Sequence, residues 1–416
     1  MSILRIGGGR RLEGTLSVHG AKNSVLPIMA ASLLARGETV IHNCPKLRDV
    51  DAAIKILRHL GCVVDKDEGR VVIDSAEMTR CDIPHDLMRE MRSSVIFLGA
   101  VLARCGGATL SAPGGCELGP RPIDLHIEAL RRLGAVITEE GGNIKCEAGK
   151  LAGCEINLST PSVGATENAM LAATAAEGTT VITNAAREPE IWDMQRYLRA
   201  IGAKVTGAGT STVIIEGSQI KANVQHSVIP DRIVAATYLS AAAASSGKIE
   251  LTGIIPSHIL AVTGALSEMG CEIKTWDDAV YIDATMPRKA IKTVITRPYP
   301  GFPTDAQPPL MAACLLAEGT TAFIENIFDN RYRHVTELIR MGADIKVEGR
   351  VAIVTGVSRI FGAPVASTDL RGGAALCVAA LSAEGVTDVS GLAHIDRGYD
   401  GFEESLRTLG ADIRRI

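Results

Sequence analysis

The residue with the strongest chemical signal is Cys116, which lies in a loop of unusual composition. The loop reads Ala112-Pro-Gly-Gly-Cys116-Glu-Leu-Gly-Pro-Arg121-Pro-Ile-Asp-Leu-His126. Glycines on both sides favour an exposed cysteine, in contrast to the apolar surroundings of Cys314 and Cys377. Next to Arg121 and His126, such a thiol could act as a nucleophile or as an acid. The same window also fits an ordinary, solvent-tolerant loop cysteine.

A second signal comes from cations placed where apolar helices are expected to begin. Ser, Thr, Asn and Asp around these starts are ordinary N-caps, but a cation near the positive end of a helix dipole is unfavourable by about 0.3–1 kcal/mol. Bound phosphate or carboxylate groups would offset that cost, and so would nearby Asp or Glu side chains. The cations are Lys22, Arg92, Arg232 and Arg371.

Composition excludes several classes of protein. Hydrophobic residues make up 46% of the 416 residues and aromatic residues only 3%, so the core must consist of small aliphatic side chains. A net charge of −4 argues against a general nucleic-acid or membrane-surface partner. Ten scattered cysteines and nine histidines show no metal-site spacing. We expect a soluble, cytoplasmic protein, since single cysteines are typical of a reducing compartment and no signal peptide is visible.

The elements that must position these residues are six copies of one unit. A phrase of the type Leu-x-x-Φ-Gly-x-x-Φ, where Φ is apolar, returns every 68 to 73 residues. A fixed period of this kind predicts a repeat architecture. Its copies are Leu57–Val64, Leu130–Ile137, Leu198–Val205, Leu266–Ile273, Leu338–Ile345 and Leu406–Ile413.

A second phrase, an alanine-rich run ending in glycine, recurs in step with the first. We predict that each of its glycines takes the left-handed position that closes a buried helix and that a strand follows. Pro27 and Pro308 should lie in first helical turns, where a missing N–H is tolerated. The six glycines are Gly37, Gly106, Gly178, Gly247, Gly319 and Gly385. Each unit therefore reads as a buried helix, a strand, an amphipathic helix and further strands.

At these loops the chain resembles the UDP-N-acetylglucosamine 1-carboxyvinyltransferases, a family of enolpyruvyl transferases. The resemblance runs from Ile6 to the C-terminus without a large gap. It is carried by Gly20-Ala-Lys22-Asn23-Ser-Val-Leu-Pro, Met91-Arg92-Ser-Ser, Pro113-Gly-Gly-Cys116-x-x-Gly-Pro-Arg121-Pro-Ile-Asp124, Ser162-Val-Gly-Ala-Thr-Glu167, Phe302-Pro-Thr-Asp305-x-Gln307, Arg331-Tyr-Arg-His334-Val-Thr-Glu337, Asp369-Leu-Arg371 and His394-Ile-Asp-Arg397-Gly-Tyr399.

The resemblance implies a two-domain inside-out α/β barrel, the enolpyruvyl transferase fold, with six α/β units arranged three and three. One domain would span residues 22–229 and carry the mobile Cys116 loop. The other would combine residues 1–21 with 230–416. The active site is expected in the cleft between the two domains.

The resemblance also implies roles for individual residues in transfer of the enolpyruvyl group of phosphoenolpyruvate to the 3′-hydroxyl of UDP-N-acetylglucosamine (UDP-GlcNAc). Cys116 would donate a proton, form the covalent adduct and be the target of fosfomycin, and Asp305 would be the base. Lys22, Arg121 and Arg397 would bind phosphoenolpyruvate. The other substrate-binding residues would be Asn23, Arg92, Pro122, Ile123, Asp124, Leu125, Ser162, Val163, Gly164, Ile327, Arg331, Asp369 and Arg371.

No metal, cofactor, nucleic acid, membrane or obligate protein partner is implied by this chemistry, since an acid, a base and cations suffice for it. One departure is visible: some relatives carry a lysine before the Ser-Val-Gly loop, where this chain has Thr160-Pro161. Diphosphate binding there would rest more on backbone N–H groups.

Two alternatives remain open. The sister enolpyruvyl transferase that acts on shikimate 3-phosphate shares the six-unit fold, but it lacks the Pro-Gly-Gly-Cys loop. A ring-shaped DNA sliding clamp also has six repeats. A clamp lines its hole with basic, solvated helices, whereas one kind of helix here is apolar throughout and requires burial.

Overall fold

The computed structural model describes residues 2–91, 93–111, 123–218, 220 and 222–416. Within those ranges the helices are α1 (Lys22–Ala35), α2 (Arg48–His59), α3 (His85–Glu90), α4 (Phe97–Cys105), α5 (Asp124–Arg132), α6 (Val163–Ala173), α7 (Pro189–Ala200), α8 (Arg232–Ala244), α9 (Leu260–Glu268), α10 (Gln307–Ala313), α11 (Val335–Arg340), α12 (Leu370–Ser382) and α13 (Phe402–Thr408). Short 3₁₀ turns cover Ser94–Ile96, Pro256–Ile259, Thr304–Ala306, Cys314–Leu316, Arg331–His334 and Ile395–Arg397.

The strands are all short. They are β1 (Leu4–Gly7), β2 (Glu13–Ser17), β3 (Glu38–His42), β4 (Val63–Asp67), β5 (Arg70–Asp74), β6 (Asp82–Ile83), β7 (Gly107–Ser111), β8 (Val136–Glu140), β9 (Asn143–Glu147), β10 (Glu155–Asn157), β11 (Thr179–Thr183), β12 (Lys204–Thr206), β13 (Thr212–Glu216), β14 (Val224–Ser227), β15 (Lys248–Thr252), β16 (Glu272–Thr275), β17 (Ala279–Asp283), β18 (Thr293–Ile295), β19 (Thr320–Ile324), β20 (Asp344–Glu348), β21 (Val351–Thr355), β22 (Pro364–Ala366), β23 (Val386–Ser390) and β24 (Asp412–Arg415).

In the described residues these strands form four-stranded sheets that share one pattern. An edge strand runs parallel to its neighbour, and two antiparallel strands follow. The orders are β14-β3-β5-β4, β6-β7-β9-β8, β10-β11-β13-β12, β2-β15-β17-β16, β18-β19-β21-β20 and β22-β23-β1-β24. The repeat predicted from sequence is therefore present as six sheets of the same topology.

The described residues divide into two compact units, each with three of these sheets. We call residues 2–19 with 230–416 the Asp305 unit, and the described part of residues 20–229 the Lys22 unit. In each unit a distant segment completes a sheet. The N-terminal β1 pairs with β23, with Leu4 opposite Val389, and β14 pairs with β3. The placement of the active site between the units stays a prediction.

Two kinds of helix occupy different positions, as the sequence predicts. Helices α1, α4, α6, α8, α10 and α12 are buried nearly all round. Helices such as α2 and α13 bury only one face. No helix in the described ranges is long and apolar enough to cross a membrane.

The leucine–glycine phrase ends each amphipathic helix in the same way. All six glycines have φ between 94° and 100°. At the end of α2 the N–H of Gly61 donates to the carbonyl of Arg58, and that of Cys62 donates to the carbonyl of Leu57. This is a Schellman motif, in which a residue without a Cβ closes the helix at little cost. The six glycines are Gly61, Gly134, Gly202, Gly270, Gly342 and Gly410.

The prediction for the second set of glycines is only partly right. Gly106 takes the left-handed position directly at the end of α4. At Gly37 and Gly247 the preceding residues, Arg36 and Ser246, take the positive φ instead. Glycine is needed there because a Cβ on Gly247 would lie 2.3 Å from the carbonyl oxygen of Leu12.

The remaining glycines of that set, Gly178, Gly319 and Gly385, have positive φ but lie beyond the ends of their helices. The expectation for Pro27 is wrong, because α1 begins at Lys22 and places this proline in its second turn. Pro308 does lie in the first turn of α10.

Candidate active site

The Asp305 carboxylate is held between two buried arginines. Its Oδ1 accepts from Nη2 of Arg331 at 2.8 Å, and its Oδ2 accepts from Nε of Arg371 at 3.2 Å. The Arg331 and Arg371 side chains are 1% and 3% exposed, whereas Asp305 is 28% exposed. Both guanidinium groups therefore orient a carboxylate that still reaches solvent.

Asp305 lies in the 3₁₀ turn Thr304–Ala306, directly before α10. Arg371 is the second residue of α12, and Arg331 begins another 3₁₀ turn. Three separate elements of one unit thus bring these side chains together, although Arg331 and Arg371 lie 26 and 66 residues after Asp305 in sequence. The sequence-predicted residues Asp305, Arg331 and Arg371 form one cluster.

Asp369 is the N-cap of α12. Its Oδ1 accepts from the backbone N–H groups of Arg371 and Gly372, at 3.1 and 3.0 Å. It also lies 3.8 Å from Nη1 of Arg331. This predicted substrate-binding residue is 3% exposed, so in the structure it positions Arg371 and adds negative charge behind Arg331.

Electrostatic conditions in the cluster are unusual. Burial would lower the pKa of Arg371, but Tyr399, Asp305 and Asp231 raise it. Burial lowers the pKa of His334 to about 4, with Asp369 opposing and Arg331 adding to the shift. The imidazole is therefore neutral near pH 7.

Within the described ranges, Nη1 of Arg331 and Nη1 of Arg371 are buried without a hydrogen-bond partner. Unmet donors of this kind favour an anionic ligand.

Glu325 belongs to this cluster, although the sequence did not single it out. It follows β19 and is 1% exposed. Its carboxylate accepts from the hydroxyl of Thr304 and from the backbone N–H of Ile327. Ile327, predicted to contact the nucleotide sugar, is 39% exposed. An acid directly after a buried strand was the available signal.

Arg397 lies in the 3₁₀ turn Ile395–Arg397 of the same unit and is half-buried. Arg232, the cation that received no role, lies with its guanidinium 5.7 Å from the ring of Tyr299. The structure thus gives Arg232 an aromatic neighbour beside the cap residue Asp231, which accepts from the first turn of α8.

Lys22 and Asn23 are the first residues of α1 in the Lys22 unit. The ammonium group of Lys22 lies 3.1 Å from Oδ2 of Asp49, whose side chain is 2% exposed. For Lys22 and Arg371 the structure therefore supplies protein carboxylates as counter-charges, one of the two explanations that the sequence left open. A cation that is paired but partly exposed can still bind a small anion.

The start of α6 presents backbone donors. Ser162 is its N-cap and accepts from the N–H of Ala165 at 3.3 Å. Val163 and Gly164 follow as first-turn residues, whose N–H groups have no acceptor inside the helix. A Cβ on Gly164 would lie 2.8 Å from Cε1 of His126. A larger residue would have to displace this imidazole, so the helix start and the imidazole pack closely.

His126 is buried, and its Nδ1 faces the side-chain amide of Asn168 at 2.7 Å. Ile123, Asp124 and Leu125, predicted to contact the uridine, form the start of α5 just before it. Asp124 is exposed, and its two neighbours are half-buried.

An unexpected acid lies deeper in α6. Glu167 is 6% exposed, and its Oε1 has no hydrogen-bond partner in the described part of the chain. Burial raises the pKa of Glu167 well above its ordinary value, and Glu190 and Glu188 raise it further. Burial and the two nearby acids therefore all favour the protonated form of this carboxyl group.

Four predicted residues, Arg92, Cys116, Arg121 and Pro122, lie outside the described residues. Among those that are described, no group of three or more His, Cys, Asp or Glu side chains is arranged to hold a metal ion.

Known proteins resemble the chain over its whole length. A family profile described as EPSP synthase (3-phosphoshikimate 1-carboxyvinyltransferase) matches residues 6–406. A protein of Caldanaerobacter subterraneus subsp. tengcongensis named UDP-N-acetylglucosamine 1-carboxyvinyltransferase 2 is 51% identical, with 100% of both chains covered. A UDP-N-acetylglucosamine 1-carboxyvinyltransferase of Geobacter metallireducens is 45% identical, again with 100% of both chains covered. The chain belongs to the UDP-N-acetylglucosamine 1-carboxyvinyltransferase family of enolpyruvyl transferases.

Solved structures agree with the fold expected for this family. The enolpyruvyl transferase NikO from Streptomyces tendae has a TM-score of 0.89 at 28% identity, covering 100% of this chain and 98% of that one. EPSP synthase from Acinetobacter baumannii has a TM-score of 0.77 at 20% identity, with 100% of both chains covered. The enolpyruvyl transferase fold predicted from sequence is confirmed.

Proposed function

We propose that this enzyme transfers the enolpyruvyl group of phosphoenolpyruvate to the 3′-hydroxyl of UDP-GlcNAc and releases phosphate. This is the first committed step of peptidoglycan synthesis. The observation that carries the proposal is the Asp305 carboxylate, held at 2.8 and 3.2 Å by Arg331 and Arg371 and still partly exposed. Full-length similarity to relatives that bear the name of this activity supports it.

The proposed chemistry is an addition followed by an elimination. Asp305 takes the proton of the sugar 3′-hydroxyl while the oxygen of that hydroxyl bonds to C2 of phosphoenolpyruvate. Cys116 donates a proton to C3. Phosphate then leaves from C2, and loss of a proton from C3 restores the double bond. The acid, the base and the cations of this scheme are all side chains of the chain itself.

Cations are assigned to the charged parts of the substrates. Lys22, Arg121 and Arg397 bind the phosphate and carboxylate of phosphoenolpyruvate, with Arg92, Arg331 and Arg371 assisting. The buried donors of Arg331 and Arg371 that lack an acceptor in the described structure support this assignment. Cations that meet developing charge in a partly desolvated site stabilise the transition state strongly.

The nucleotide is assigned to the Lys22 unit, apart from Ile327 and Asp369. Ser162, Val163 and Gly164 bind the diphosphate at the start of α6, where first-turn N–H groups and the helix dipole favour anions. Because Thr160 and Pro161 offer no cation, these N–H groups carry the contact. Asn23 contacts the sugar, and residues 121–125 contact the uridine.

A phosphate-release assay with two acceptors tests the proposal. We expect release with phosphoenolpyruvate and UDP-GlcNAc, and none with phosphoenolpyruvate and shikimate 3-phosphate. Activity with shikimate 3-phosphate alone would overturn it. The proposal includes a cytoplasmic enzyme without a cofactor or an obligate protein partner, so purified protein in metal-free buffer should be active.

A further inference from the structure

A buried carboxylate, Glu325, holds two parts of the Asp305 unit at once. Its Oε1 accepts from the backbone N–H groups of Ile327 and Phe328, at 2.8 and 2.9 Å. Its two oxygens also lie 3.1 and 3.0 Å from the hydroxyl of Thr304. The segment that carries Ile327 is therefore tied to the turn that carries Asp305.

The direction of the hydrogen bonds at Thr304 is fixed by chemistry. Nε of Arg331 lies 3.1 Å from the Thr304 hydroxyl oxygen. A guanidinium can only donate, so this oxygen accepts from Arg331 and gives its single proton to Glu325. Because a carboxylate accepts that proton, the hydroxyl oxygen becomes a better acceptor for Arg331.

The same guanidinium ends at Asp305. Nη2 of Arg331 donates to Oδ1 of Asp305 at 2.8 Å. The contacts thus run without a gap from Glu325 through Thr304 and Arg331 to Asp305. Nε and Nη2 lie on one edge of the guanidinium plane, so an acceptor fixed at Nε sets the angle at which Nη2 meets the Asp305 carboxylate.

We propose that Glu325, acting through Thr304, is a positioning residue that aligns the base Asp305 with the segment of Ile327. The inference rests on the proposed function, in which Asp305 and Ile327 meet the same acceptor sugar. One carboxylate fixes both, so the base and a sugar contact keep a constant separation. Burial of its charge is tolerated because a hydroxyl and two amides satisfy it.

A matched pair of variants at Thr304 tests the link. Thr304→Val keeps the shape and removes the hydroxyl, whereas Thr304→Ser keeps the hydroxyl. A small misplacement of a reacting group can cost about a hundredfold in rate. We expect kcat to fall about 10- to 100-fold in the valine variant and to stay within about threefold of wild type in the serine variant.

Thr263→Val is the control for loss of a threonine hydroxyl. Thr263 lies in α9, and among the described residues its hydroxyl donates to the carbonyls of Ile259 and Leu260 in that region. We expect its kcat to match wild type. If Thr304→Val kept wild-type kcat, or if Thr304→Ser lost as much as Thr304→Val, the inference would be wrong.

A double-mutant cycle separates positioning from general stability. Glu325→Gln and Thr304→Val act on one chain of contacts, so together they should lower kcat/KM no more than the worse of the two alone. Glu403→Gln is the control, since Glu403 is also buried but bonds Arg415 instead. Its effect should add independently to that of Thr304→Val. Additive effects of Glu325→Gln and Thr304→Val would overturn the inference.

Hydrogen exchange keeps this test distinct from that of the overall function, because it needs no substrate. Glu325→Ala should speed amide exchange at Ile327 and Phe328, while Glu403→Gln should not. Unchanged exchange at both amides would overturn the inference whichever acceptor the wild type uses. A wild type that is inactive with UDP-GlcNAc would instead refute the proposed function.

Discussion

Two buried clusters, one in each unit, treat charge in opposite ways. In the Asp305 unit, Arg331 and Arg371 face Asp305, and opposite charges meet within 3.2 Å. In the Lys22 unit, Glu167 lies among neighbours that include Glu190 and Glu188. Burial and these like charges together raise the pKa of its carboxyl group. The same helix–strand repeat supports both arrangements. The repeat therefore provides burial, and the charges next to a buried group decide which protonation state is favoured.

Asp305, the proposed base, should be the most sensitive position in the molecule. We expect Asp305→Ala to lower kcat by up to about 10⁴-fold, since a positioned general base contributes about 10²–10⁴-fold. Calorimetry with UDP-GlcNAc should show nucleotide binding largely intact. Asp305→Asn, which keeps the shape between Arg331 and Arg371, is the control for structural damage. Wild-type kcat in both variants would remove Asp305 from the mechanism.

Variants of two cysteines distinguish a catalytic role from a packing role. Cys116→Ala should lose turnover by about 10²–10⁴-fold, the contribution of a general acid, and the residual activity should resist fosfomycin. Cys314 is 2% exposed, and burial raises the pKa of its thiol to about 12. Cys314→Ala should therefore affect stability at most. Rate and thermal unfolding of both variants check this, and equal rates would assign Cys116 no catalytic part.

Breaking the paired cluster should also destabilise the fold. Arg331→Met leaves Asp305 with Arg371 as its remaining buried cation and removes the cation that lies 3.8 Å from Asp369. Removing one partner of a buried ion pair typically costs about 3–5 kcal/mol. Arg350→Met is the matched control, because the pair of Arg350 and Asp329 is more than half exposed and such pairs contribute about 0–1 kcal/mol. Urea unfolding measures both. Equal losses would contradict the burial of charge in this unit.

The like-charged cluster should respond to pH with a defined sign. The folded pKa of Glu167 lies above its unfolded value, so the folded state binds the extra proton. The stability that this proton provides is complete below the unfolded pKa, about 4.5, and is lost as pH rises toward the folded pKa. Glu167→Gln should therefore raise Tm at pH 8 by at least about 2 °C, and not at pH 4.

Glu177→Gln is the control for this smallest effect. Glu177 is 70% exposed in its pair with Lys150, so its replacement should shift Tm little at either pH. A Glu167→Gln variant that lost stability at pH 8 would show that Glu167 is ionised in the folded protein.

The fold could be predicted because its signals are local and repeated. A Schellman motif requires a leucine and a glycine at a fixed spacing. Six copies of that spacing exclude a coincidental match. The glycine after each buried helix was harder to interpret, because Gly37 and Gly247 do not supply a positive φ themselves. They leave room for close neighbours, the Asn223 side chain at Gly37 and the Leu12 backbone at Gly247. That reason depends on neighbours that are distant in sequence.

The residues of the candidate site also fall into two groups, those that could be identified from sequence and those that could not. Residues in dense motifs, such as Asp305 and Arg371, could be identified from sequence. Glu325 could not, since its partner Thr304 lies 21 residues earlier and its other contacts are to backbone. Nor could the pairing of Lys22 with Asp49, which depends on how α1 packs against α2.

Direct observation of the product is the most decisive measurement. Purified enzyme with phosphoenolpyruvate and UDP-GlcNAc would be followed by proton and phosphorus NMR. We expect one free phosphate for each new enol ether, with the ether attached at the 3′-oxygen of the sugar. Absence of that ether, or its formation only on shikimate 3-phosphate, would contradict the proposed function.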